Sequence, residues 1–232
     1  MHFGSTLRKN IYPPWKDSYI DYGKLKKLLK EQEGSGDEDD SWTADDESSF
    51  VDELVNVQLE KVHSFQNEMS QKLRDRTTAC EKKLEPLAVG LKSEKGKEKE
   101  ESPSNGSQKP ELEPEEKKKL LNKVLEELDS ITKETNELEK YCRLNYTAFF
   151  KATKKHDRIR GDSYKLRPFL ESRLTTLPLN KEDYSPLLYR LSAMYSFVRQ
   201  SLDGKTQEAM SFGEELSGGE SFTSRKCRIS TA

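Results

Sequence analysis

Residues 114 to 160 read PEEKKKLLNKVLEELDSITKETNELEKYCRLNYTAFFKATKKHDRIR, and one periodicity runs through the whole stretch. Leu121, Val124, Leu128, Ile131, Leu138, Cys142, Asn145, Phe149 and His156 recur in steps of three, four and seven, which keeps them on one face of a helix. Pro114 suits a first helical position, where a missing N–H is no loss, and Glu115 and Glu116 suit the positive end of the helix dipole. The spacing predicts one long helix beginning at Pro114.

A second helix of similar length is expected upstream. From Ser48 the same steps pass through Phe50, Leu54, Val57, Phe65, Met69, Leu73, Cys80, Leu84 and Leu87, ending near Gly90. Between the two, residues 92 to 113 are mixed in charge and free of aromatics, the composition of a disordered linker. Two long helices so joined pair antiparallel.

The flanks are shorter. Phe3, Leu7 and Ile11 are spaced i, i+4 in a short helix that Pro13-Pro14 stops. A second helix is expected from about Tyr19 to Gln32, apolar at Ile20, Leu25, Leu28 and Leu29 and basic at Lys24, Lys26, Lys27 and Lys30; the two form a small hairpin. Residues 34 to 47 hold seven acidic side chains from Asp37 onward and no basic one, which reads as a solvated loop that Trp42 pins to the fold. After Gly161-Asp162, Ser163 to Thr175 reads as a helix around Leu166, Phe169, Leu170 and Leu174. Ser185 to Leu202 reads as another, buried through Leu188, Leu191, Tyr195 and Val198. The expected fold is all-α: an N-terminal helical hairpin packed on a bundle of two long antiparallel helices plus two shorter C-terminal helices. One domain would span 1–203, with 204–232 a flexible tail or the start of a further domain.

Composition narrows the function classes. Of the 232 residues, 32% are hydrophobic and 35% charged, a balance that suits amphipathic helices with wide solvated faces and disordered segments. Cys80, Cys142 and Cys227 are odd in number, far apart and without metal-ligand spacing, which fits a reducing compartment and neither a disulfide framework nor a zinc site. No apolar run reaches the roughly 18 residues of a membrane span.

Against a formal net charge of -2, Lys151, Lys154, Lys155 and Arg158 stand at positions 0, 3, 4 and 7 of a helix, a local cationic stripe. Like charges at these spacings repel by a few tenths of a kcal/mol per pair, so the stripe calls for an anion. The dipole at a helix C-terminus accounts for one or two of the cations, not four. Tyr22 and Lys26, at i and i+4, add a phenol and an ammonium, and if their helix packs beside the stripe they meet Lys155. Converging donors of this kind suit phosphate. No Gly-rich nucleotide loop, nucleophile–base pair or rigid carboxylate cluster accompanies them, so no catalysis is expected in this chain. The same stripe admits a solvated face on a helical protein-interaction scaffold, or weak binding of phosphoinositides or partner proteins. Nucleic acid fits poorly, for want of exposed stacking aromatics beside the stripe.

Four segments together resemble the SPX domain: MHFGSTL at the N-terminus, YPPWKDSYIDYGKLKKLLK at 12 to 30, LNYTAFFKATKKHDR at 144 to 158 and SPLLYRLSAMYSFVR at 185 to 199. The resemblance covers residues 1 to about 202. It implies a helical sensor that binds inositol hexakisphosphate or inositol pyrophosphates, with no cofactor and no metal. The family's phosphate-holding tyrosine and lysines match Tyr22, Lys26 and Lys155, and its neighbouring surface group matches Lys151, Lys154 and Arg158; Lys30 and His2 are further candidates. His2 stands where the family has lysine, and histidine is mostly neutral at pH 7. The YPPWKDSYIDY wording and the acidic insert before SSFVDEL look most like the accessory subunits of the fungal vacuolar transporter chaperone complex, which makes polyphosphate. That likeness implies a regulatory rather than enzymatic part, other subunits of a membrane-bound polymerase as partners, and a place on the cytosolic face of the vacuolar membrane.

Overall fold

The computed structural model describes residues 3–30, 42–94, 113–160, 165–177, 179 and 181–204. The described residues form helices and no strand: α1 (Phe3–Asn10), α2 (Tyr22–Lys30), α3 (Ala44–Asp52), α4 (Glu60–Glu94), α5 (Pro114–Arg160), α6 (Arg167–Thr176) and α7 (Ser185–Leu202). The expected all-α architecture is the observed one. A 3-10 turn at Pro13–Ser18 follows α1, and a π-helical segment, Glu53–Leu59, joins α3 to α4 without a break.

The α4–α5 pair is the spine, and it is antiparallel. The Tyr141 hydroxyl lies 3.4 Å from the Val62 carbonyl near one end, while Arg76 reaches Glu127, Ser130 and Glu134 at 2.7 to 2.9 Å farther along. Between them Leu73, Cys80, Leu84, Leu121, Leu128, Ile131 and Leu138 are buried. Each such leucine contributes about 1.5–3 kcal/mol by leaving water. α7 lies on both helices. Arg190 grips Glu81 of α4 with two bonds, at 2.8 and 2.5 Å, and Tyr195 bonds Asp129 of α5. At the N-terminus, Trp15 packs edge-on against Tyr12, Phe65 and Tyr141, which seats the 3-10 turn on the spine.

Several expectations need correction. α2 begins at Tyr22 rather than near Tyr19, because Tyr19 is extended and the Ile20 amide bonds a distant side chain instead of starting a helix. The acidic loop ends earlier than residue 47. Thr43 caps α3 by accepting from Asp46 N, and the Asp46 carboxylate accepts from Thr43 N, so Asp45, Asp46 and Glu47 form the first turn of a helix. Trp42 does pin this entry to the fold, packed against Phe50 and His156. α4 runs past Gly90 to Glu94, so residues 92–94 of the expected linker are helical; 95–112 lie outside the described residues, as do 31–41 and 205–232. α6 starts at Arg167, and Phe169 is 46% exposed rather than buried, because Leu166, Leu170 and Leu174 take the inner face. In α7 the buried face is Leu187, Leu191, Met194, Phe197 and Val198; Leu188 and Tyr195 sit at its edge, half-exposed. Gly204, at φ 67°, follows the α7 cap, where the Asp203 amide bonds Arg199 O at 2.9 Å.

Candidate anion site

The last three turns of α5 divide sharply between two faces. Ala148, Phe149, Ala152, Thr153 and His156 are buried, whereas Lys151, Lys154 and Arg158 are exposed and Lys155 is half-buried. Thr153 keeps the buried face polar-satisfied by donating its hydroxyl back to Phe149 O at 3.2 Å. The stripe therefore exists as the sequence spaced it. No carboxylate of the described residues pairs with Lys151, Lys154 or Arg158.

α1 and α2 both pack against α5, and α2 also touches α3. Tyr22 opens α2 half-buried, its ring edge-on to Phe3 at 5.2 Å and close to Gly4, where an added Cβ would stand 3.6 Å from the ring. Burial pushes the Tyr22 phenol above its ordinary value, so it remains a hydrogen-bond donor through the neutral range. Lys26 lies one turn on, half-buried and without an ion pair among the described residues. Lys24 is drawn away, its ammonium 2.6 Å from Glu53 Oε2. Lys27 is exposed. Lys30 ends α2, but its side chain, like the whole of His2, lies outside the described residues.

The seat of α2 is built from distant side chains. Ile20 N donates to Asn145 Oδ1 at 2.9 Å, and Asp21 N donates to Gln58 Oε1 at 2.7 Å. Asp21 Oδ1 then caps α2 by accepting from Lys24 N at 2.8 Å. Neither amide is free to turn. Asn145 Nδ2 bonds Tyr141 O at 2.8 Å and Gln58 Nε2 bonds Glu53 Oε1 at 2.7 Å. Asn145 is fully buried.

Beneath the stripe, His156 is enclosed. Its ring stacks on Phe50 at 5.1 Å, Nε2 is 2.9 Å from Glu47 Oε1, and Nδ1 is 3.0 Å from Asp157 Oδ1. Arg160 pairs with the same Glu47 at 3.2 Å and lies over the Trp42 ring. Asp157 also accepts from the amides of Leu166 and Arg167, at 2.8 and 3.3 Å, and so caps α6, which has no side-chain cap of its own. The sequence hid Glu47, Gln58, Glu53 and Asp157 as working parts. Only the Thr43–Asp46 capping box carried a local signal.

Other features point elsewhere. A groove of about 320 Å³ between α5 and α7 is lined by Thr132, Leu191, Tyr195 and Arg199. Along α5, Thr132 and Lys151 are about 28 Å apart at 1.5 Å per residue, so the groove and the stripe are separate. Among the described residues, no group of three His, Cys, Asp or Glu stands close enough to hold a metal ion. Nor is any of their helices long and apolar enough to cross a membrane.

Residues 1–41 match the SPX domain family. Over 88% of its length the chain is 38% identical to vacuolar transporter chaperone complex subunit 2 of Saccharomyces cerevisiae, covering 22% of that protein. It is 36% identical to subunit 2 and 35% identical to subunit 4 of the same complex in Schizosaccharomyces pombe, covering 24% of each and 87% and 86% of itself. The chain thus spans between a fifth and a quarter of these relatives. Its fold is similar to that of the SPX domain of Chaetomium thermophilum glycerophosphodiester phosphodiesterase 1, solved with inositol hexakisphosphate. The TM-score is 0.57 at 21% identity, covering 86% of this chain and 99% of that one. The chain is thus similar to SPX-domain proteins, in sequence over residues 1–41 and in fold over most of its length. Within them, it is similar to the vacuolar transporter chaperone subunits of fungi.

Proposed function

We propose that this chain is a regulatory module that reports phosphate status by binding inositol hexakisphosphate or an inositol pyrophosphate. The observation that carries the reading is the exposed stripe Lys151, Lys154 and Arg158, which has no carboxylate partner among the described residues of a chain whose net charge is negative. Tyr22, Lys26 and Lys155 form the inner part of the site, with Lys151, Lys154 and Arg158 around it and His2 and Lys30 as outer contributors. A polyanion relieves the mutual repulsion of these cations, which no single carboxylate does. The related SPX domain solved with inositol hexakisphosphate supports the ligand class.

The module spans 1–203. It regulates polyphosphate synthesis together with other subunits of a vacuolar transporter chaperone complex, on the cytosolic face of the vacuolar membrane. The chain's similarity to three subunits of that complex supports this placement. The module needs no cofactor, and the chemistry resides in other domains or subunits.

Calorimetric titration tests the reading. Some six charge-assisted contacts at about 1.5–3 kcal/mol each, less ordering and desolvation, leave about 8 kcal/mol, a micromolar complex. Orthophosphate engages only two or three donors and should bind far more weakly. Equal affinity for orthophosphate and inositol hexakisphosphate would refute the reading.

A further inference from the structure

The entry to α2 rests on two backbone amides, those of the buried Ile20 and the exposed Asp21, that the anion chemistry does not use. Residues 20 and 21 precede α2, so their N–H groups have no partner within it, and each is met by a side chain of another helical element: Asn145 Oδ1 on α5 and Gln58 Oε1 on the π-helical segment. Both side chains are almost wholly enclosed, Asn145 at 0% and Gln58 at 4% exposure. A buried donor left without a partner is costly, so the Ile20 bond in particular is not given up lightly.

The π turn explains why Gln58 is available. Its wider winding brings residues five apart onto a common face, so Gln58 stands over Glu53 and is held there by the 2.7 Å bond to Oε1. The other oxygen of Glu53 takes the Lys24 ammonium. One acidic side chain thereby aims the Gln58 amide at Asp21 and turns Lys24 away from the stripe. Tyr22 and Lys26 follow directly on this anchored entry, and neither is gripped by a comparable bond of its own among the described residues. The Tyr141 hydroxyl, donating to Ser18 O at 2.8 Å, fixes the chain just before it.

We propose that Gln58 and Asn145 are positioning residues of the polyanion site: they hold residues 20 and 21 so that Tyr22 and Lys26 face the stripe on α5 before any ligand arrives. The proposal rests on the reading of that site as a binder of inositol polyphosphates. It assigns the affinity for ligand partly to two residues that never touch it.

The test uses the full chain and inositol hexakisphosphate as the probe. Gln58→Met and Asn145→Leu keep shape and remove the acceptor. Each should weaken binding by about fivefold or more while the helical circular dichroism is retained. In a Lys26→Ala background that loss should shrink to the part carried by Tyr22, because one of the two misplaced contacts is already gone; in a Lys154→Ala background it should persist in full. A merely structural role would weaken binding equally in both backgrounds, and that result overturns the proposal. So does unchanged affinity in both folded variants. A measurement on the unaltered protein covers variants that fail to fold: the Ile20 and Asp21 amides should exchange slowly before ligand is added, and fast exchange there overturns the proposal as well. If the unaltered chain does not bind the probe, the functional reading itself fails. If it binds, and Lys26→Ala weakens it while the two amide variants do not, only the positioning role fails.

Discussion

His156 and Glu47, 109 residues apart in the chain, meet at 2.9 Å directly beneath the basic stripe. An ionised carboxylate only accepts, so the ring nitrogen donates, and the Glu47 side chain serves three neighbours at once: His156, Arg160 and the Trp42 indole at 2.9 Å. Glu47→Ala strands those three groups. We expect a loss of about 2–3 kcal/mol in urea unfolding, together with a shift in Trp42 fluorescence. A variant as stable as the parent would show that this end of α3 is not fastened there.

The cations of the site should fail in order. In the proposed site, Lys26→Ala and Lys155→Ala each remove an inner charge and should each weaken inositol hexakisphosphate binding by about tenfold, whereas Tyr22→Phe removes one neutral donor and should cost less. Lys154→Ala and Arg158→Ala, both on the exposed face, should lower affinity without moving the melting temperature. Unfolding caused by either outer substitution would make the stripe structural.

Ionic strength gives an independent measure. With the outer cations exposed, raising salt from 0.1 to 1 M shortens the Debye length from about 10 to 3 Å and should weaken binding steeply. Affinity that stays constant across that range would argue against an exposed polyanion site.

Ligand should also leave a local imprint. A polyanion bridging Lys26 and Lys155 stabilises the state it binds, so amide exchange in α1 and α2 should slow more than in α7. Protection that rises equally in α7 would exclude local ordering as the signal.

Both described cysteines are buried and free. Burial pushes the Cys142 thiol from 9.0 up to about 12, so at pH 8 neither reacts with a thiol reagent until the chain opens. The sign for stability follows from linkage. The folded state holds this proton more tightly, so the contribution of Cys142 is complete below about pH 9 and is lost progressively as pH rises toward 12. Cys142→Ala should flatten that part of the stability profile, as followed by urea unfolding.

The long helices were legible because many consecutive turns repeat one apolar face, from Leu121 to His156 and from Phe50 to Leu87, and averaging over turns tolerates local exceptions. α6 offers only two or three turns, and there Phe169 looked as apolar as Leu170 while facing water. The stripe was legible for a related reason, since four cations at fixed spacing stand out against a net charge of -2. The seat of α2 was not. Helical propensity places Tyr19 and Ile20 inside a helix, and only a partner 125 residues away, Asn145, holds the Ile20 amide outside one. The link from Glu53 to Gln58 was equally hidden, because its five-residue interval belongs to a π turn that no local pattern announced.

Asp157 has one further consequence, for how far this surface could be strengthened. It sits in sequence between Lys155 and Arg158, yet its carboxylate is committed inward to His156 and to the two amides that begin α6. Converting it to lysine would add a cation to the segment but uncap α6 and place a positive charge against His156. Redesign for tighter ligand capture therefore has to extend the patch lengthwise, at positions such as the half-exposed Thr147 one turn before Lys151, rather than make the 151–158 segment uniformly basic. The charge density of the segment is capped from within the fold.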